Sequence, residues 1–383
     1  MASRFEEDAL TSDTVSLPEL PHFPGSAGRP LLPSDTPLQL IDPAGTPSAK
    51  PWADMPDDAT LAELYRRMVV GRRFDAQATV LTRQGRLAVY PSAHGQEASE
   101  IGAVLALGAD DWLFPTYRDC MALVSRGVDP VGALTLLRGN WHHGYDCRAE
   151  RVAAQCTPLA TNTSHGVGFA HAARLKGEDT VALVMLGDGA TSEGDAHEAL
   201  NFAAVLKAPV VFFCQNNGFA ISVPIAKQSA APSLAHKGIG YGVPSMYIDG
   251  NDAATVYVAV RRAVEAARAG GGPTFIEART YRIEAHTNAD DATRYRDERE
   301  VEHWKARDPI ARMRAYLTGR RLLDAAAEEV LEAEAEALAT DLRTRMNMDP
   351  ELDPDRLFEH VYTEPTAQLR AQRDRLRAEL TSA

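Results

Sequence analysis

No apolar run in this chain approaches the roughly 18 to 20 residues that a membrane-spanning helix needs. Positive charge is short as well: 40 lysines and arginines stand against 53 aspartates and glutamates, a formal net charge of -13. That balance argues against nucleic acid or an anionic membrane as the principal partner. Cysteine is scarce. Cys120, Cys147, Cys156 and Cys214 form no CxxC pair and no disulfide framework, which fits a reducing cytoplasm. The start, MASRFEEDALTSDT, has acids where a mitochondrial transit peptide would have arginines, and no signal-peptide core. Familiar nucleotide signatures fail too: there is no Walker-type phosphate loop, and GVGFAH lacks the third small residue of a dinucleotide fingerprint. The cluster HHGYDCRAERVAAQC brings His142, His143, Cys147 and Cys156 together, but structural zinc uses two close ligand pairs and only one loose pair is here.

What the chain does have is order in its patterning. The first 56 residues hold ten of the 23 prolines and no periodicity, so they read as an extended arm that wraps another surface or stays disordered. From DDATLAELYRRMVVGRRFDAQATVLTRQG the apolar spacing of three and four predicts a long helix ending at Gly85, and a second helix runs from about Ala98 to Leu107. DDWLFPTYRD reads as a turn that delivers an aromatic and an arginine together. Beyond it, buried strands (TVALVMLG, APVVFFCQNN, GPTFIEARTYR) alternate with helices (HGVGFAHAARL, SEGDAHEALNFAAVLK, DAATVYVAVRRAVEAARAG). That alternation predicts an α/β fold, a doubly wound, mostly parallel sheet flanked by helices. The expected units are the arm, 1–56, an α/β domain, 57–310, and a charged helical region, 311–383, that packs on the domain and on a partner.

Two strand ends carry the chemistry. One ends in Gly187-Asp188-Gly189, the next in Asn216-Asn217-Gly218, with a single helix between. Ligands of open parallel sheets bind beyond the carboxyl ends of the strands. The glycines let backbone approach a ligand, and the following helix, entered through Thr191 and Ser192, favours an anion. Asp188 would repel that anion unless a cation neutralised it. One carboxylate, one amide oxygen, backbone carbonyls and phosphate oxygens make an octahedral Mg²⁺ site holding a diphosphate. Either triplet alone is commonly a turn; the pair, each after a buried strand, points to a site.

GDG, 26 residues, then NN resembles the thiamin-diphosphate fingerprint. Its flanks, with FPTYRD and YRIEAHTNADDATRYR, are similar to the α chain of 2-oxo acid dehydrogenase first components, most of all the branched-chain type. The resemblance spans roughly residues 57 to 380. It implies a thiamin-diphosphate-binding fold in a heterotetramer of two α and two β chains. By that resemblance Asp188, Asn217 and the carbonyl of Phe219 bind Mg²⁺. Tyr117 and Arg118 hold the diphosphate, Gly187, Gly189 and Ala190 line it, and Thr157 and Leu159 meet the cofactor's rings. His286, at the mouth, serves the substrate or acyl transfer.

The resemblance also implies the reaction: oxidative decarboxylation of a branched-chain 2-oxo acid, with acyl transfer to a lipoyl-bearing acyltransferase core. Pyruvate dehydrogenase is the alternative; an acetoin-cleaving relative and a non-catalytic scaffold subunit are the remaining ones. The cofactor needs a carboxylate on its aminopyrimidine ring. Only one diphosphate-binding domain is legible, so that group is expected from the β chain, which the arm is a candidate to clasp. Five positions depart from the family's pattern. Ala285 replaces a histidine, Gln215 stands where several relatives have arginine, and Thr287 stands where animal members have a phosphorylated serine. Cys156 and Asn162 differ around a potassium site known in those relatives.

Overall fold

The computed structural model describes residues 31–139, 143–348 and 353–382. Its strands are β1 (Trp112–Phe114), β2 (Ala182–Gly187), β3 (Val210–Asn216), β4 (Phe219–Ala220), β5 (Val223–Pro224), β6 (Ser245–Asp249) and β7 (Thr274–Arg279). Five of them form one sheet in the order β1-β2-β3-β7-β6, and every pairing in it is parallel. β4 and β5 make a separate antiparallel ribbon just beyond β3.

Helices precede, link and follow the strands. They are α1 (Asp58–Arg83), α2 (Glu97–Leu105), α3 (Cys120–Arg126), α4 (Pro130–Leu134), α5 (Cys147–Glu150), α6 (Thr161–Lys176), α7 (Gly194–Leu206) and α8 (Ala253–Ala266). Then come α9 (Glu298–Lys305), α10 (Pro309–Gly319), α11 (Ala325–Met346), α12 (Arg356–Glu359) and α13 (Ala367–Ser382). Residues of β3 alternate between two cores. Val211 and Phe213 pack with α2, α3 and α8 on one face; Val210, Phe212 and Cys214 pack with α6 and α7 on the other. Both faces of the sheet are therefore covered, the condition that allows strands to be apolar throughout.

Two strands of the five-stranded sheet went unread in the sequence, as did the ribbon β4–β5. DDWLFPTYRD is not only a turn, because Trp112–Phe114 is the edge strand β1 and the turn follows it. β6 is short and half-buried, and nothing in SMYID announces it. Its outer edge is covered by the arm: the Leu38 N–H donates to the Tyr247 carbonyl, and the Asp249 N–H donates to the Leu38 carbonyl, both at 2.9 Å. Leu40 and Ile41 then enter the core, and their N–H groups donate to Oδ2 of Asp252 at 2.7 and 2.8 Å. Residues 31–56 thus lie on this chain's own surface; residues 1–30 fall outside the described residues. α10 and α11, beyond the boundary expected at 310, share one apolar cluster with α1 through Met313, Leu317, Leu342 and Met346. α13 buries no residue.

Candidate active site

β2 and β3 are adjacent, so their carboxyl ends meet, with Gly187 opposite Gln215. A cavity of ≈ 390 Å³ opens over that point. Asp188 sits in its floor, 1% exposed, and Oδ2 accepts a 2.6 Å hydrogen bond from Nε2 of Gln228. Burial raises the Asp188 pKa, and Gln228, Arg279 and Arg282 only partly offset that. Gly189 has a steric reason to be glycine, since a Cβ there would lie 2.8 Å from Cβ of Ala220. The helix expected to start at Thr191 starts later: a single 3-10 turn, Gly189–Ser192, intervenes before α7 at Gly194. Thr191 gives its hydroxyl to the Asp188 carbonyl at 2.8 Å, which tightens the chain into that turn. The N–H groups nearest the cavity belong to the turn.

The paired asparagines divide their work. Asn216 points away from the cavity: its Nδ2 donates to Glu277 at 2.6 Å, and its Oδ1 accepts from Gly218 N. Asn217 lines the cavity, with Oδ1 accepting the Phe219 N–H at 3.2 Å and Nδ2 donating to Oε1 of Gln96. Gly218, at φ +90°, makes the reversal that follows them, a conformation costly for any residue with a Cβ.

Opposite this floor stand two guanidiniums. Arg118 donates Nη1 to the Ser92 carbonyl at 2.7 Å and brings Nη2 to 3.0 Å from Nδ1 of His286. Arg282, 2% exposed, brings Nη1 to 3.0 Å from the same Nδ1 and leaves its Nε buried without a partner. Neither is ion-paired with a carboxylate among the described residues. Burial first, then Arg118, pulls the Arg282 pKa down to about 10. Guanidiniums only donate, so Nδ1 of His286 is the acceptor and Nε2 carries the imidazole proton. Burial, then Arg118 and Arg282, lowers the His286 pKa to about 4. The His286 N–H donates to Oδ2 of Asp290 at 2.9 Å, and that oxygen also takes the hydroxyl of Tyr295. Two buried, unpaired cations facing one cavity are expensive unless an anion joins them.

Of the residues expected from sequence, Tyr117, Arg118, Leu159, Gly187, Asp188, Gly189, Ala190, Asn217, Phe219 and His286 all line this one cavity. Thr157 does not; it lies exposed between Cys156 and Pro158, which do. Sequence reading missed Arg282, Gln96 and Gln228. Arg282 stands four residues before His286 in a stretch already singled out, but an arginine after a strand carries no signal of its own. Gln228 is 40 residues from Asp188 in an irregular loop, where no pattern could have found it. Sγ of Cys147 contacts Nε2 of His143 at 3.2 Å, His142 lies outside the described residues, and no group of three metal-binding side chains occurs among the described ones.

The family model for the dehydrogenase E1 component matches residues 65–355, and the chain belongs to that family. It is 48% identical to the 3-methyl-2-oxobutanoate dehydrogenase subunit alpha of Mycobacterium tuberculosis, over 90% of this chain and 94% of that one. It is 36% identical to the 2-oxoisovalerate dehydrogenase subunit alpha of Bacillus subtilis, over 80% and 96%. It is also 36% identical to the pyruvate dehydrogenase E1 component subunit alpha of Acholeplasma laidlawii, over 82% and 91%.

Proposed function

We propose that this chain is the α subunit of a branched-chain 2-oxo acid dehydrogenase, 3-methyl-2-oxobutanoate its type substrate, with thiamin diphosphate and Mg²⁺ in the cavity over β2 and β3. The observation that carries the cofactor reading is the pair of unpaired guanidiniums, Arg118 and Arg282, across from a buried carboxylate. A carboxylate alone would reject a diphosphate, and guanidiniums alone would reject a metal. Together they suit a metal–diphosphate pair. The branched-chain assignment rests on the 48% identity over nearly the whole chain.

Asp188, Asn217 Oδ1 and the Phe219 carbonyl would hold Mg²⁺, a hard-oxygen set. Arg118 and Tyr117 would hold the diphosphate, with Gly187, Gly189 and Ala190 beneath it and Leu159 against the rings. Bound there, thiamin diphosphate supplies an electron sink for loss of carbon dioxide from the 2-oxo acid. His286 would hold its proton at Nε2 and offer it to an oxygen of the substrate at the mouth. Asp290 and Tyr295 fix the loop that carries it. The carboxylates facing the cavity are Asp188, assigned to the metal, and the exposed Glu193. The acid for the aminopyrimidine ring is therefore assigned to a β subunit, and the acyl product to a lipoyl-bearing acyltransferase.

The test is decarboxylation by this chain co-purified with its β partner, given Mg²⁺, thiamin diphosphate and an artificial electron acceptor. Faster turnover of 3-methyl-2-oxobutanoate than of pyruvate supports the proposal. The reverse preference moves the enzyme to the pyruvate branch, a reading favoured by the similarity to the Acholeplasma chain.

A further inference from the structure

Along the cavity floor three side-chain amides run in single file. Nδ2 of Asn217 donates to Oε1 of Gln96 at 3.1 Å. Nε2 of Gln96 donates to Oε1 of Gln215 at 2.8 Å, and Nε2 of Gln215 donates to Oδ1 of Asp119 at 2.7 Å. Oδ2 of Asp119 takes both the backbone N–H and the hydroxyl of Thr116, at 2.6 and 2.7 Å. All four residues of the file are buried, at 1% to 6% exposure for the amides and 0% for Asp119. An amide has two unlike ends, and at these positions water cannot correct a wrong choice.

We infer that Asp119 sets the direction of this file and thereby turns Oδ1 of Asn217, rather than its NH₂, toward the metal position. A carboxylate surrounded by donors only accepts, so Gln215 must show it the NH₂ end. The Oε1 of Gln215 then demands the NH₂ of Gln96, and the Oε1 of Gln96 demands the NH₂ of Asn217. The remaining end of Asn217 is its oxygen, which accepts from Phe219 N and keeps a lone pair for the cavity. Asp119, Gln215 and Gln96 are positioning residues: none needs to touch the metal. The file also gives Gln215 a task that differs from a phosphate contact, since both ends of its amide are already engaged, by Gln96 and Asp119. This inference rests on the assignment of Asn217 as a Mg²⁺ ligand made above.

The same logic predicts a reversal and its repair. In Asp119→Asn the Thr116 N–H still requires an oxygen, so the new NH₂ faces Gln215. Gln215 and Gln96 then turn over in sequence, and Asn217 presents NH₂ to the metal position. Adding Gln96→Glu repairs the end that matters. A carboxylate at 96 accepts from the reversed Gln215 and from Asn217 alike, which returns the Asn217 oxygen to the cavity.

The experiment is calorimetric titration of Mg²⁺ into the complex of this chain with its β partner, prepared metal-free with thiamin diphosphate present. The unfolding midpoint of each metal-free complex is recorded alongside. The expected result is a Mg²⁺ affinity about 10- to 100-fold weaker in D119N, the range for loss of a partner that orients a ligand. The metal-free midpoint should be unchanged, and D119N/Q96E should return to within about threefold of wild type. Wild-type affinity in D119N overturns the inference. So does a weakened D119N that the second substitution fails to rescue, because a packing defect would not be repaired by a charge at 96. If the wild-type complex itself binds no Mg²⁺ with thiamin diphosphate, the cofactor assignment fails and takes the inference with it. Normal wild-type binding with an indifferent D119N sinks the inference alone.

Discussion

Arg118 holds its guanidinium 3.0 Å from Nδ1 of His286, and Arg282 meets the same nitrogen from the other side. A histidine so placed is neutral at physiological pH, with its proton on the outward nitrogen. Burial and the two guanidiniums lower its pKa to about 4, against an ordinary value near 6.5. Between those two values the unfolded chain binds a proton that the folded chain does not. Stability therefore falls as pH drops from about 6.5 toward 4 and levels off below. Nuclear magnetic resonance titration of His286 in the cofactor-free chain should give a midpoint well under 6, and Arg282→Gln should raise it. A midpoint near 6.5 in the wild type would contradict the geometry.

Asp188→Asn should separate binding from stability. Burial raises the folded-state pKa of Asp188, so its favourable contribution belongs to pH below the ordinary carboxylate range and is lost as pH rises. At neutral pH the ionised side chain costs stability, and asparagine removes that cost while still accepting from Gln228. Metal-free D188N should melt at or above the wild-type temperature while Mg²⁺-dependent thiamin diphosphate binding drops by about 100-fold or more. Thermal melts with and without the cofactor measure both.

Asp252→Ala should loosen the arm. It removes the shared acceptor of the Leu40 and Ile41 N–H groups, both buried. Leu40 N keeps a second contact, to Oγ1 of Thr255 at 2.8 Å, so the orphaned donors are Ile41 N and Thr255 N, the latter capped by Oδ1 of Asp252 at the start of α8. The expected cost is about 1–3 kcal/mol, read from urea denaturation, with faster proteolytic cutting within residues 31–56.

Two glycines of α6 make a matched pair. A Cβ on Gly166 would fall 2.3 Å from Cγ2 of Val184, whereas one on Gly168 would meet nothing within 4 Å. Gly166→Ala should destabilise the chain by about 1–3 kcal/mol through overpacking. Gly168→Ala should stabilise it by up to about 1 kcal/mol through helix propensity. Equal effects in urea melts would mean that α6 does not lie on β2 as described.

The parts of this fold that leave a pattern were legible: α1, α7 and α8 each bury one face, which leaves a spacing of three and four, while β2, β3 and β7 are buried on both faces, which leaves a short buried run. β1 and β6 were not, because each is an edge strand of three to five residues, too short to show a period. The site divides in the same way. GDG and NNG follow strands and could be read as strand ends, and FPTYRD and EAHTNADD were reached through resemblance. The side chains that orient them, Gln96, Gln228 and Arg282, are polar residues whose role depends on what the fold brings beside them. Asn216 and Asn217 look alike in sequence. Only the register of β3 against β7 separates the one bound to Glu277 from the one facing the cavity.

The clasp between the arm and β6 also orders events in time. Leu40 and Asp252 are 212 residues apart. At roughly 5–20 residues per second of synthesis, the arm emerges about 10 to 40 s before its acceptor exists. The arm is thus made well before it can find its place. Until then β6 and the arm each lack the other's backbone, and a nascent chain is open to pairing with the wrong strand. A segment that leaves the ribosome early and docks late needs a sequence that forms nothing by itself in the interval. The arm's prolines, which earlier served only to mark it as irregular, meet that requirement.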